Sequence, residues 1–500
     1  MRRFILASTM VLMLLSLSST VSFGQSTTFE FHLGFKTLAD QIPDVVGTPL
    51  ENEHYGANGD SLQQTTTGLM VWRKADNWTA FTNGSMTWIN GPYGVQERAN
   101  SDRFPWESDN PSQVEASQPP AVNTPTPQPT EAPKPPAVPT PVPTPAPMVF
   151  SNPNIYHAKS PEYGMFVFLM GYPTSADRDL RLIKDAGFSW GKTLIQWGQI
   201  ESKGKGQYDW SQADMAVESA AREGIRLIAR VDDTPSWARK DHKNNAPPDN
   251  YADYGDFINA LVNRYKTGSP YGHIDAVEVW NEPNLAREWG DQRPNAAEYT
   301  KLLASANNGA KMADPSVLVL TAGLSPTETD NADAVPDDVF LQQMYDAGAK
   351  GCFDVLGAHA PGFKAPPEMS PEQVAADPNY GGHRFFTFRR VEDLRNVMVR
   401  NGDAGKQIWL TEFGWTSDSV HPAYSWYSVT EQQKADYLVR AFQYARANWP
   451  WVGVMCAWGL PEADWSPNFE QYWWSITNPD GTPRPAYLAL KAARENGTLP

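Results

Sequence analysis

Along the second half of the chain, short apolar runs alternate with stretches whose apolar residues recur every three or four positions. The runs are MFVFLMGY (165–172), WGKTLIQW (190–197), IRLIARV (225–231), AVEVWN (276–281), SVLVLTAG (316–323), FDVLGAHA (353–360), QIWLTEFG (407–414) and VGVMCAWG (452–459). Runs of this length and composition read as strands buried on both faces. Between them, YADYGDFINALVNRYK places Tyr254, Phe257, Ile258, Leu261, Val262 and Tyr265 on one helical face, and TEQQKADYLVRAFQYARANW repeats the pattern. Strands and helices alternating through 149–500 predict an α/β fold, a (β/α)8 TIM barrel. A doubly wound open sheet is the alternative, and no Gly-rich βα turn supports it.

The pattern changes upstream. Residues 111–147 contain fourteen prolines and almost no large apolar side chains. Such a segment favours extended polyproline II and would span roughly 100 Å as a semi-rigid spacer. We therefore expect a Pro/Thr-rich linker over 108–148. Before it, 27–107 holds short β-like runs separated by Asn-Gly and Gly-Pro turn signals, which predicts a small β-rich module. Its Trp72, Trp78, Trp88 and Tyr93 could stack on sugars, but a module this small needs such residues for its own core. The first 24 residues start basic, continue apolar and end in small residues, the grammar of a cleaved secretory signal peptide. The expected localisation is therefore secreted or extracellular, including attachment at the cell surface, with no membrane contact after cleavage.

Charge and cysteine content narrow the chemistry. The formal balance is 41 − 57 = −16, which speaks against nucleic acid and anionic membranes as partners. Cys352 and Cys456 each lie at or inside an apolar run, so buried thiols are expected rather than a disulfide. No HExxH, paired CxxC or phosphate-binding loop is present, so neither a metal nor a cofactor is expected.

In such a barrel, catalytic groups stand where the strands end. Glu282 closes the fourth predicted strand and Glu412 the seventh. Two carboxylates across one mouth are the apparatus of glycoside hydrolysis, one donating a proton and one attacking the anomeric carbon. Asn281, beside Glu282, has an amide suited to a sugar 2-hydroxyl. This assigns Glu282 as acid/base and Glu412 as nucleophile.

VWNEPN and LTEFGW, in that order, resemble the clan of retaining (β/α)8 glycoside hydrolases with paired glutamates on strands four and seven. The clan includes the cellulase/mannanase-like and the β-xylosidase/α-L-iduronidase-like enzymes. The resemblance covers most of 150–490 and implies hydrolysis of O-glycosidic bonds by double displacement, on a carbohydrate and without a cofactor. It also implies substrate-binding positions for His359 in HAPG and Trp458 in CAWGLPE, while DDTPSW offers Asp232, Asp233 and Trp237 to the cleft. Two departures stand out. Relatives often carry an arginine on strand two, where this chain has Lys192, with Arg230 on strand three as a second cation. Relatives also use a tyrosine near strand six, and here only Tyr424 or Tyr427 after strand seven could reach in. The competing readings are a glycan-binding barrel without turnover and a cell-surface protein whose barrel is a spacer. The upstream module would hold an enzyme of this kind to a polymer or wall, in the service of polysaccharide degradation.

Overall fold

Fourteen strands form two sheets in a computed structural model that describes residues 29–31, 33–55, 60–73, 78–91, 94–100 and 156–499. These divide into two compact units, one within 29–100 and one comprising 156–499. The expected signal peptide and linker lie outside the described residues.

The first unit is an antiparallel meander of β1 (His54–Tyr55), β2 (Ser61–Gln64), β3 (Leu69–Arg73), β4 (Trp78–Thr82), β5 (Met86–Gly91) and β6 (Gly94–Ala99). It also contains a helix, Leu33–Gln41, that the turn-rich pattern did not suggest. Phe35, Leu38 and Ala39 of that helix pack on Met70 and Phe81 of the sheet. Trp72 and Trp88 flank this core, and the Trp88 indole donates to Glu97 at 2.9 Å. Both tryptophans thus contribute to the module's own packing. Tyr93 and the Trp78 side chain are outside the described residues.

The second unit is a ring of eight parallel strands in chain order: β7 (Glu162–Phe166), β8 (Trp190–Gln196), β9 (Arg226–Asp232), β10 (Ala276–Val279), β11 (Leu318–Thr321), β12 (Leu356–Pro361), β13 (Ile408–Gly414) and β14 (Val452–Ala457). Continuous pairing runs from β11 back through β7 and β14 to β12. Parallel bridges Leu320–Val355 and Leu324–Ala358 close the remaining gap, so the sheet is a barrel rather than an open doubly wound sheet. Helices such as Tyr251–Arg264 and Glu431–Asn448 bury their apolar faces against the outside of the ring. Asn250 and Thr430 cap their first turns by accepting backbone N–H groups, which fixes where each helix begins.

Inside the ring, polarity changes with height. Side chains alternate across a strand, so Trp190, Lys192 and Leu194 share one face of β8, as do Ile228 and Arg230 of β9, and Ala276 and Glu278 of β10. The lower layer is an apolar plug of Trp190, Ile228, Ala276, Leu318, Leu320, Trp409, Val454 and Cys456. The positions above it carry charge. Cys352 and Cys456 are both free and buried.

Candidate active site

The fourth barrel strand ends in a strained turn. Trp280 and Glu282 have φ of 75° and 35°, a left-handed region that side-chain-bearing residues seldom occupy. Packing imposes it. The buried Trp280 ring lies against Tyr254 and Trp289, and its indole donates to the Glu288 carbonyl at 2.7 Å. With Trp280 held beneath, the chain turns Asn281 and Glu282 toward the barrel mouth, where both line a cavity of about 260 Å³.

Glu412 arrives from β13 with the help of a register shift. Ala358 pairs with Leu410 but His359 with Glu412, so Thr411 is an extra residue on β13. Such a bulge re-aims the next side chain. It sets Glu412 directly beside His359, and both line the same cavity.

His359 joins the two acids. Its Nδ1 lies 2.9 Å from Oε1 of Glu282, and its Nε2 lies 3.6 Å from Oε1 of Glu412. Nε2 is buried and has no hydrogen-bond partner. The ring fits there because residue 323 is glycine. A Cβ at Gly323 would collide with the His359 imidazole and crowd Thr411.

Each glutamate has its own cations. Oε2 of Glu282 accepts from Arg287 at 2.6 Å. Burial works against ionising Glu282, but the His359 hydrogen bond and the Arg287 charge outweigh it and hold its pKa down at about 2. Oε1 of Glu412 meets Lys192 Nζ at 3.0 Å and Arg230 Nη1 at 3.4 Å. Arg230 also donates to Oδ1 of Asn281 at 3.0 Å, which orients that amide and leaves its NH2 as donor. Nε of Arg230 pairs with Asp232 at 3.0 Å. Lysine from β8 and arginine from β9 thus both place positive charge on one oxygen of Glu412.

Of the residues singled out from sequence, Glu282, Glu412, Asn281, His359, Arg230 and Trp458 line one cavity. Trp458 follows β14 and rests on Phe166, with ring centroids 4.3 Å apart. Lys192 does not line it; it is fully buried and reaches Glu412 from below. Trp237 does not line it either. Its indole donates to the Glu201 carbonyl at 2.6 Å and its ring packs edge-on against Trp197. Asp232 and Asp233 also stay off the wall: Asp232 is tied to Arg230, and Asp233 accepts from Asn244 at 2.8 Å. Tyr424 lines the cavity, whereas Tyr427 packs on Phe363 and Trp426.

The structure adds residues that the motifs did not single out. Arg287 and Glu278 are two, the second lying within VEVWNEPN but hidden among its apolar neighbours. The segment after β14 adds Glu462, Asp464, Trp465, Phe469, Glu470 and Trp474 to the wall. Its aromatic density was the available signal. Glu470 accepts from the Trp474 indole at 2.8 Å, and burial raises its pKa to about 7. Among the described residues, no group of three or more His, Cys, Asp or Glu is arranged to hold a metal ion.

No family model and no curated protein matches the chain. Solved structures do. A glucosidase from Croceicoccus marinus aligns at 14% identity over 69% of this chain and 69% of its own, with a TM-score of 0.50. A GH5_18 variant from Streptomyces cattleya in complex with Manb1-4GlcNAc aligns at 14% identity over 68% of this chain and 81% of its own, also at 0.50. At such identities the likeness is one of fold. The resemblance first drawn from VWNEPN and LTEFGW therefore extends to the whole (β/α)8 barrel that glycoside hydrolases use.

Proposed function

We propose that the chain is a secreted retaining glycoside hydrolase that cleaves O-glycosidic bonds in an oligosaccharide or polysaccharide through a covalent glycosyl-enzyme. The observation that carries this reading is the bridge. Glu282 and Glu412, 130 residues apart in sequence (412 − 282), meet the two nitrogens of one imidazole in one cavity. A scaffold or spacer has no physical need for two acids so placed. A fold alone does not assign an activity, so the argument rests on this site.

In the first step, the Glu412 carboxylate attacks the anomeric carbon while Glu282 protonates the departing oxygen. A glycosyl ester forms and the aglycone leaves as an alcohol. In the second, Glu282, now a carboxylate, takes a proton from water; the water oxygen displaces Glu412 and restores both groups. Lys192 and Arg230 set positive charge beside Glu412, and the oriented Asn281 amide donates to the 2-hydroxyl as oxocarbenium character grows. Trp458 supplies an apolar face for the ring being cleaved. Glu282 is ionised while Arg287 holds it, so the acid form requires Arg287 to release Oε2 as a glycosidic oxygen enters. Export is supported by the basic-then-apolar start of the chain.

The deciding experiment is a hydrolysis screen of the full chain on a broad glycan and aryl-glycoside panel, beside Glu412→Ala. We expect turnover in the parent, its loss in the variant, and a first product that keeps the anomeric configuration of the substrate. Binding without cleavage by either protein would overturn the enzyme reading in favour of a glycan-binding barrel.

A further inference from the structure

Below the cavity floor, one lysine serves two carboxylates. Lys192 and Glu278 are both 0% exposed, and Lys192 Nζ lies 2.8 Å from Oε2 of Glu278. The same Nζ lies 3.0 Å from Oε1 of Glu412. Glu278 cannot turn away, because its Oε1 accepts the Gly323 backbone N–H at 3.1 Å. If Lys192 existed only to neutralise Glu412, the second acid would be a burden, since burying a charge is costly unless it is paired. If the pair were only structural, apolar residues of similar volume would pack as well.

We propose that Glu278 is a positioning residue for the nucleophile: by holding one side of Lys192, it sets how much of that positive charge reaches Glu412. The inference rests on the retaining-hydrolase reading for its consequence in rate, but not for its electrostatics. A nucleophile bound to an undivided cation is ionised but poorly nucleophilic; one with no cation takes up a proton. Glu278 and Glu412 compete for the same Nζ. The groups around Glu412 are Lys192 from β8, Arg230 with its partner Asp232 from β9, His359 from β12, which also holds Glu282, and the buried Cys456 thiol from β14. Glu278 is itself ionised. Burial opposes this, but Lys192, His359 and Arg230 outweigh it and hold its pKa below the ordinary glutamate value.

Two variants separate this role from a structural one. Glu278→Gln keeps shape and the acceptor for Gly323 but leaves Lys192 wholly to Glu412. Lys192→Met alone would strand Glu278, so the second variant is the charge-balanced Lys192→Met/Glu278→Gln. Each is read in the full chain by the pH–rate profile and by the carboxyl titration of Glu412 in protein labelled with 13C-glutamate, assigned by Glu412→Gln. We expect the Glu412 titration and the acid limb to fall by about one unit in Glu278→Gln, with kcat lowered roughly tenfold, and to rise by about one unit in the double variant. Opposite shifts are something a purely structural pair would not produce. An unchanged Glu412 titration in both folded variants overturns the inference even if the parent turns over. A parent without turnover sinks the hydrolase reading, while the carboxyl titration still decides the role of Glu278.

Discussion

Glu282 is under two opposing demands. As the proposed proton donor it needs a pKa near the working pH, yet Arg287 at 2.6 Å and His359 at 2.9 Å favour its anion. The basic limb of kcat/KM reports the acid in the free enzyme, so that limb should respond to Arg287. An opposite charge at such range lowers a carboxyl pKa by roughly 1–3 units. Arg287→Met should therefore move the basic limb to higher pH by about one unit or more, and an unmoved limb would remove Arg287 from the control of Glu282. Here the sequence is legible for one partner and silent for the other. Glu282 is visible because an acid ends an apolar strand. Arg287 is not, because it stands five residues on in a single 3-10 turn, Ala286–Glu288, too short to carry a periodicity. Glu278 is hidden for the opposite reason: inside a run of valines it counts as one polar interruption, and only the closed ring shows that its side chain meets Lys192. Trp237 shows the reverse error, since a tryptophan after a strand end can serve the cleft or the packing, and the Glu201 carbonyl decides for packing.

At the scale of elements, all eight barrel strands were legible because each is buried on both faces, but their ends were not. The first was expected over 165–172 and forms over Glu162–Phe166 instead. It opens with Glu162, Tyr163 and Gly164 rather than an aliphatic run, while Val167, Leu169 and Met170 remain apolar beyond the strand because they are buried in the same core as the barrel's helices. The fourth stops at Val279, where Trp280 adopts a positive φ that no composition signals. The register shift at Thr411 is equally silent in sequence, although it aims Glu412 into the cavity. Closure of the ring between β11 and β12 brings Gly323 against His359. Gly323→Ala should therefore displace the imidazole and lower kcat/KM by ~10²-fold with little loss of stability, the scale of misplacing a catalytic group by about an ångström. In a His359→Ala background the added methyl has only the Thr411 hydroxyl left to crowd, so the second substitution should cost far less. Additive losses in that double-mutant cycle would place the defect elsewhere.

Across the whole barrel, the same burial that shapes the site should also set its acid–base stability profile. Glu282 and Glu278 have depressed pKa values, so their contribution is present above the unfolded glutamate value of about 4.3 and is lost as pH falls toward 2. Asp233 and Glu470 have the opposite sign. Burial raises them to about 6 and about 7, so folding favours their protonated forms. Their contribution is complete below the unfolded carboxylate range and is lost as pH rises through the folded values. The two sets together leave a maximum near pH 4–5. Each pKa unit corresponds to about 1.4 kcal/mol, discounted here because Asp233 and Glu470 keep some contact with solvent. We expect Tm to peak in that acid range and to fall by on the order of 5 °C between pH 5 and 8. Glu470→Gln, which cannot ionise, should flatten that decline while leaving the fall below pH 4 unchanged. A Tm that rises from pH 5 to 8, or a decline untouched by Glu470→Gln, would show that these carboxyls ionise in the folded barrel as freely as in the unfolded chain.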